Sequence, residues 1–398
     1  MRPTDRRELA NTLHDRMAGS YEARARKDEH DAEDGLVKTY LLEADPSCFG
    51  ASDDLPGYLG SCVKDSARPG ITDLRSEATD DSRLLRLSGR CHGRVAEFHI
   101  DASHERYWLA HTMASSRVAD AFLKQTVDRC RQIDRAWLDV SMLEWVAQQG
   151  QFSGLGLDFD RGPLLSRESA ASARVDSMKM QVWGRSARDV MEVLRTTGEF
   201  GPETSLAKVK VRYGDADDAS GFTIDEVKYN GKFTARGTSF MAHADLVHRV
   251  QRRYSRMIEH VERHGRLRVE RVDRGWEFRG ACITYQFTPS CAPFREWVGR
   301  MFSCALPFRL WGVPDFDGDD FARVAALDLH VGQPLDFEIA PDRIRLFMHE
   351  ASCGNTVLRL LANLQRTLDA GTRADMNGES ISGVQPQGAQ PDHSNVPR

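Results

Sequence analysis

The chain lacks any apolar run long enough for a membrane span. Its 398 residues contain no stretch that approaches the roughly 18–20 apolar residues such a helix needs. The N-terminal residues, MRPTDRRELANTLHDRM, are charged throughout and have none of the apolar core of a secretory signal. These absences predict an intracellular, cytoplasmic protein with no membrane partner.

The chain also has no excess of positive charge. Its formal net charge is −5 at pH 7, so no overall field attracts the protein to nucleic acid or to an anionic lipid surface. A polyanion would therefore have to bind at a local basic patch.

Signatures of metals and cofactors are missing as well. The 8 cysteines show no CxxC spacing, which argues against zinc-ribbon and thioredoxin-like patterns and predicts buried free thiols. Gly154 and Gly156 lack the third glycine and the following helix of a dinucleotide fingerprint, and neither a P-loop nor a GxSxG motif is present. The sequence therefore predicts no metal site and no cofactor, apart from the Mg²⁺ of the nuclease alternative considered below.

The chain contains segments whose apolar residues alternate, as in strands, and segments whose apolar residues recur at the helical period. At about 100–200 residues per domain, this length predicts two or three domains. Strands mixed with helices and hairpins favour an α+β fold of two or three mixed units over a doubly wound parallel sheet. The predicted units are a polar N-terminal arm at 1–35, an α/β domain at 36–165, an α+β hairpin-helix domain at 166–270, an α+β domain at 271–370 and a disordered tail at 371–398.

Three local patterns are clear enough to predict structure. In the arm, Leu9, Leu13 and Met17 have the spacing of a short amphipathic helix. Asn230-Gly231 between two alternating runs predicts a tight hairpin. A long helix at 242–264 should bury an apolar stripe made of Leu246, Val247, Val250, Tyr254, Met257, Ile258 and Val261.

The first candidate site is an E-V-K tripeptide on the first strand of the predicted hairpin. Because side chains alternate along a strand, Glu226 and Lys228 should lie side by side on one face. The preceding loop supplies three more acids: Asp215, Asp217 and Asp218. Such carboxylates can hold a Mg²⁺ that activates water for phosphodiester cleavage, with the lysine orienting the water. Alternatively, the Glu–Lys pair only solubilises an exposed hairpin face.

This order of acid, hairpin, E-x-K and helix resembles the PD-(D/E)xK nuclease superfamily. The resemblance implies a Mg²⁺-dependent nuclease in which Asp218 (or Asp215) is the first acid, Glu226 the second and Lys228 the lysine. The following helix carries a pair similar to the Gln–Tyr motif of some of these nucleases: Gln251 and Tyr254.

The second candidate site is a ridge of arginines on the same long helix. Four of them gather within about 100° of one another at the helical period: Arg249, Arg252, Arg253 and Arg256. Such a ridge suits phosphate contacts, and its alternative is a solvated face paired with nearby acids.

An aspartate-rich run at 315–320 is the third candidate. It is similar to the DFDGD loop that holds catalytic Mg²⁺ in multisubunit RNA polymerases, which would make Asp315, Asp317 and Asp319 the ligands. A turn explains the same residues, and we interpret the run as a turn.

The absence of a strong catalytic signature decides between a binding function and an enzymatic one. The sequence favours a non-catalytic intracellular protein that binds a nucleic acid or a protein through the arginine ridge, as a component of a bacterial multi-protein system. The Mg²⁺-dependent nuclease is the alternative.

Overall fold

The computed structural model describes residues 3–27, 36–45, 54–171, 175–196, 200–214, 221–273, 275–289 and 292–383. Over these residues the protein is a mixed α+β structure, as predicted. Asp215, Asp217 and Asp218 lie outside the described residues, as do positions 384–398 of the predicted tail.

Nine α-helices occur in the described ranges. They are α1 (Arg6–Lys27), α2 (Leu55–Ser66), α3 (Ser116–Gln125), α4 (Val140–Ala147), α5 (Arg167–Ala171), α6 (Ala187–Thr196), α7 (Phe240–Gly265), α8 (Phe294–Met301) and α9 (Gly354–Thr367).

Eleven strands form the first sheet. They are β1 (Val37–Ala44), β2 (Ile71–Ala78), β3 (Leu84–Cys91), β4 (Arg94–Asp101), β5 (Tyr107–Thr112), β6 (Ile133–Arg135), β7 (Gln151–Asp160), β8 (Ser177–Trp183), β9 (Leu206–Gly214), β10 (Phe222–Lys228) and β11 (Lys232–Gly237). Their order is β2-β3-β4-β5-β1-β11-β10-β9-β7-β8, and β6 pairs with β1.

The remaining strands form a hairpin and a second sheet. The hairpin joins β12 (Arg268–Val272) to β13 (Gly275–Arg279). The second sheet contains β14 (Ile283–Gln286), β15 (Leu310–Gly312), β16 (Asp315–Asp317), β17 (Phe321–Asp328), β18 (Pro334–Ala340), β19 (Arg343–Met348), β20 (Arg373–Met376) and β21 (Glu379–Ser380). Its order is β15-β17-β18-β19-β14-β20-β21, and β16 pairs with β17.

The first sheet runs across a predicted unit boundary. Strand β1 pairs antiparallel with β11, and Thr39 lies opposite Phe233. The predicted units at 36–165 and 166–270 therefore contribute neighbouring strands to one sheet. The local sequence of neither strand predicts this long-range pairing.

The predicted hairpin is confirmed. Strands β10 and β11 pair antiparallel, with Val227 opposite Phe233. Gly231 adopts φ 69° at the turn, a left-handed conformation that glycine tolerates without the penalty of a β-carbon. Its N–H donates to the carbonyl oxygen of Lys228 at 3.1 Å.

The predicted N-terminal helix is also confirmed. Leu9, Leu13 and Met17 of α1 are buried against Ala235 of β11 and Phe240 of α7. Because i, i+4 and i+8 share one helix face, three apolar residues are enough to attach this otherwise polar segment.

One apolar core joins the two sheets. It includes Val209 of β9, Val250 of α7, Leu361 of α9 and Leu346 of β19. The whole predicted stripe of α7 is buried, because the helix packs against strands on one side and against α9 on another.

Two sequence predictions near the C-terminal end have different outcomes. The first half of the aspartate-rich run is strand β16, and residues 318–320 form the turn into β17, with Gly318 at φ 69°, so the interpretation as a turn is confirmed for the second half of the run. The prediction of a disordered tail from position 371 is wrong for residues 373–376, because Ala374 and Met376 are buried in β20, which pairs with β14. Two buried residues in a four-residue strand are too short a pattern to recognise.

None of the helices in the described part of the chain has the length and apolar character that a membrane crossing requires.

Candidate nucleic-acid interface

The alternation along β9 and β10 separates two faces of the first sheet. Val209, Val211 and Val227 are buried against the core. Lys208 and Lys210, at the positions between them, lie half-buried on the opposite face. The same pleat places further polar side chains there: Arg212, Glu226, Lys228 and Arg236.

The registers of β7 to β11 align these side chains in rows across the strands. Arg212, Ile224 and Arg236 form one row. The next row contains Lys210 and Glu226, and the following row pairs Lys208 with Lys228. Lys179 of the edge strand β8 adds a further exposed cation. We call Lys179, Lys208, Lys210, Arg212, Lys228 and Arg236 the basic face.

Glu226 is an acid that pairs with two lysines of this face. Its Oε2 lies 3.3 Å from Lys208 Nζ, and its Oε1 lies 3.6 Å from Lys228 Nζ. A second carboxylate, Asp158, lies opposite Lys179 in register. The six cations outnumber these carboxylates, so the face keeps a surplus of positive charge although the chain as a whole is acidic.

The pKa values of two lysines on this face are lowered, mainly by burial. Burial lowers the pKa of Lys208, and the nearby Lys228 and Lys179 lower it further while Glu226 opposes them. Burial and the Arg236 guanidinium likewise lower the pKa of Lys210. Since like charges destabilise each other's charged form, a bound anion would relieve repulsion that is already present.

A tryptophan lies beside the lysines. Trp183 is 48% exposed, and its ring centroid is 5.1 Å from Lys208 Nζ and 4.7 Å from Lys210 Nζ. Gly154 lies opposite it in register, and a β-carbon at that position would collide with the ring. Gly156 similarly leaves room for the Lys208 side chain. Because the two glycines have no side chains, the Trp183 ring and the Lys208 side chain can lie directly over the backbone of β7.

The structure brings two of the predicted catalytic residues together. Glu226 and Lys228 share a face and are in contact, as strand periodicity requires. The third, Asp218, and its alternative Asp215 lie outside the described residues, so the predicted set of acids stays a prediction.

The Gln251 and Tyr254 side chains of α7 form hydrogen bonds in the protein interior. The buried Gln251 side chain donates to the Tyr107 carbonyl at 2.8 Å. Tyr254 donates to the side-chain oxygen of Asn355 and accepts from the Trp137 N–H at 3.2 Å. Both side chains therefore hold α7 to neighbouring elements.

Two arginines of the ridge contact other side chains or the backbone, and the other two are exposed to solvent. Arg249 pairs with Asp245 at 3.0 Å. Arg253 is half-buried, lies over the Trp145 ring at 4.9 Å and donates to a carbonyl at 3.2 Å. The other two ridge residues, Arg252 and Arg256, are exposed.

Most residues of the basic face are not among the candidate site residues predicted from the sequence. Lys208, Lys210 and Arg212 occupy alternate positions of one strand. This K-x-K-x-R pattern alone predicts three cations on one face of the strand. Trp183 and Arg236 join them through the strand order, which the local sequence does not specify.

Together, the fold and this face define an α+β protein with a cationic, aromatic sheet surface. The chain belongs to the MJECL33-like protein family, whose model matches residues 1–382. It is 24% identical over 415 residues to the uncharacterized protein MJECL33 of Methanocaldococcus jannaschii, and the alignment covers 95% of this chain and 96% of that protein. That relative is archaeal and gives no support to the expectation of a bacterial system.

Proposed function

We propose that this protein is a cytoplasmic, non-catalytic binding protein that holds single-stranded nucleic acid on the basic face. The observation that carries the proposal is the row of cations across one sheet face, where Lys208 and Lys210 lie beside a half-exposed tryptophan. Phosphate contacts supply most of the affinity of sequence-independent nucleic-acid binding, and displaced counterions add to it.

The choice of a single strand rests on Trp183. An exposed indole on a flat sheet can stack on an unpaired base, whereas the bases of a duplex are stacked on each other and present only their edges. The two lysines beside this ring would contact the backbone that connects the stacked bases.

The binding test uses fluorescence anisotropy with a labelled single-stranded oligonucleotide, and the matched duplex for comparison. In the test variant, Lys208→Gln and Lys210→Gln are combined, because glutamine keeps much of the stem that packs beside Trp183. The affinity should fall at least tenfold. The slope of log K against log salt should shrink by about 1.4, since each lost contact with a single strand removes about 0.7.

The control combines Arg252→Gln with Arg256→Gln, which removes the same charge from exposed positions of α7. This control should bind like the wild type. A loss in the control with no loss in the lysine variant would instead favour the arginine ridge. Absence of binding by the wild type would reject the proposal and leave a protein partner as the better hypothesis.

A Mg²⁺-dependent nuclease that uses Glu226 and Lys228 is the alternative function. The contact between these two side chains supports it, while the pairing of Glu226 with a second lysine gives that carboxylate a charge partner other than a metal ion. The two functions make opposite predictions for a Glu226 variant, which are given in the Discussion.

A further inference from the structure

A second polar cluster lies in the interior, between the two sheets and away from the basic face. It combines Glu43 of β1, His330 in the turn after β17 and Cys353 at the N-terminus of α9. All three are buried, and His330 and Glu43 are essentially inaccessible to solvent. Three segments that are distant in the sequence therefore place a carboxylate, an imidazole and a thiol together.

The separations between these donors are those of a small coordination site. Glu43 Oε2 is 3.7 Å from His330 Nε2, and Glu43 Oε1 is 3.4 Å from Cys353 Sγ. The potential ligand atoms all lie within 4.8 Å of one another. Bond lengths of about 2.0–2.3 Å place neighbouring ligands of a tetrahedral zinc ion roughly 3.3–3.5 Å apart, so small side-chain movements would suffice.

Several polar atoms of the cluster have no hydrogen-bond partner. Neither ring nitrogen of His330 has one, and neither does Glu43 Oε2. Buried polar side-chain atoms are nearly always hydrogen-bonded, and a buried imidazole with both nitrogens free is unusual. A cation between these atoms would satisfy both Glu43 Oε2 and His330 Nε2.

An arginine orients the carboxylate without occupying this space. Arg106 donates to Glu43 Oε1 at 2.6 Å and to Cys353 Sγ at 3.4 Å. The same guanidinium forms a bidentate pair with Glu262, at 2.9 and 2.6 Å. Glu262 therefore balances the charge of Arg106, and Oε2 of Glu43 remains directed toward His330. Partners of this kind commonly fix the orientation of metal ligands.

We propose that Glu43, His330 and Cys353 bind a zinc ion. A thiolate and an imidazole favour Zn²⁺ over Mg²⁺ or Ca²⁺, which prefer oxygen ligands. Binding would release the thiol proton of Cys353 to solvent, because the thiolate is the ligand. Within the described residues the set provides three protein ligands, which leaves a fourth position for water or another small ligand. The site is independent of the proposed function and departs from the expectation that the chain binds no metal.

The test measures metal content and cobalt spectra of the full-length protein. Purified without chelators, the wild type should contain about one zinc per chain by inductively coupled plasma mass spectrometry. Replacement of zinc by Co²⁺ should produce the charge-transfer absorption of a cobalt–thiolate bond. Cys353→Ser should abolish that absorption, and His330→Gln should reduce the bound metal at least tenfold. Cys91→Ser, which changes a buried thiol in another part of the core, should leave both unchanged.

Glu43→Gln keeps the shape of the side chain and is the variant to use if the other two do not fold. It should weaken Co²⁺ binding at least tenfold in a competition titration. Wild-type protein that takes up neither Zn²⁺ nor Co²⁺ would overturn the proposal. Unchanged metal binding by folded Cys353→Ser or Glu43→Gln would overturn it equally.

Discussion

Lys208 and Glu226 form an ion pair on the open face of the first sheet, with Nζ and Oε2 3.3 Å apart. If this face binds nucleic acid, Glu226 weakens the binding. Its carboxylate repels phosphate and pairs with the Lys208 ammonium group, which would otherwise contact a phosphate. Glu226→Gln should therefore tighten binding to a single-stranded oligonucleotide about two- to fivefold, the range expected from ~0.5–1 kcal/mol for a partly exposed pair. Anisotropy titrations at fixed salt measure the change.

The same variant tests the nuclease alternative. Incubation of the wild type with plasmid DNA and Mg²⁺ would reveal cleavage, and loss of a metal-binding carboxylate should remove it. Tighter binding without cleavage by either protein supports the binding function. Cleavage by the wild type that disappears in Glu226→Gln would favour the nuclease.

Trp183 should distinguish single strands from duplexes. Trp183→Ala removes an exposed ring, and stacking on one base contributes about 1–3 kcal/mol. Affinity for a single strand should therefore fall roughly five- to 160-fold, with little change for a duplex. The control is Trp276→Ala, since Trp276 is 70% exposed on the β12–β13 hairpin. Equal losses for single- and double-stranded oligonucleotides would count against stacking.

The periodic parts of the structure could be predicted from the sequence. The stripe of α7, the Asn230-Gly231 hairpin and the helix that contains Leu13 each follow from spacing within one segment. The contact between Glu226 and Lys228 follows from strand period alone. In all these cases the interacting residues are close in the sequence, so local geometry determines their contacts.

Other parts of the candidate sites depend on long-range pairing. Trp183 reaches Lys210 because β7 lies between their strands, and Glu43 reaches His330 because the two sheets share a core. Period and composition do not specify strand order. The arginine pattern on α7 could not show that Arg253 is held beside Trp145.

Removal of one partner from a buried ion network should destabilise the fold strongly. Arg359 is fully buried, donates to Asp134 at 2.6 Å and also donates to Asp328. Arg359→Met would leave both buried carboxylates without this partner, and breaking a buried pair typically costs ~3–5 kcal/mol. Urea denaturation should show a loss of that size in the free energy of unfolding.

A matched control for this loss is Arg343→Met. Arg343 pairs with Asp342 at 3.8 Å, and both side chains are about half exposed, so the change should stay below about 1 kcal/mol. If the two variants are equally stable, the Arg359 network does not stabilise the fold in the way its geometry indicates.

The histidine at position 111 should give stability a specific pH dependence. Burial, together with the smaller effect of the neighbouring His243, His99 and His248, lowers the pKa of His111 to about 3. Its Nδ1 lies 2.9 Å from Thr39 Oγ1, which also contacts His243 Nε2 at 2.7 Å. The neutral imidazole is therefore the form that fits the folded protein.

Unfolding releases this histidine to its ordinary pKa of about 6.5. Between pH 6.5 and 3 the unfolded chain then binds a proton that the folded chain does not, so stability falls as the pH falls through this window. Above pH 6.5 the contribution is fully present. His111→Gln removes the titrating group. The free energy of unfolding of the wild type should therefore fall more steeply than that of the variant, by up to about 1.4 kcal/mol per pH unit between pH 6 and 4. Chemical denaturation of both proteins across this range measures the difference, and parallel curves would contradict a neutral, buried His111.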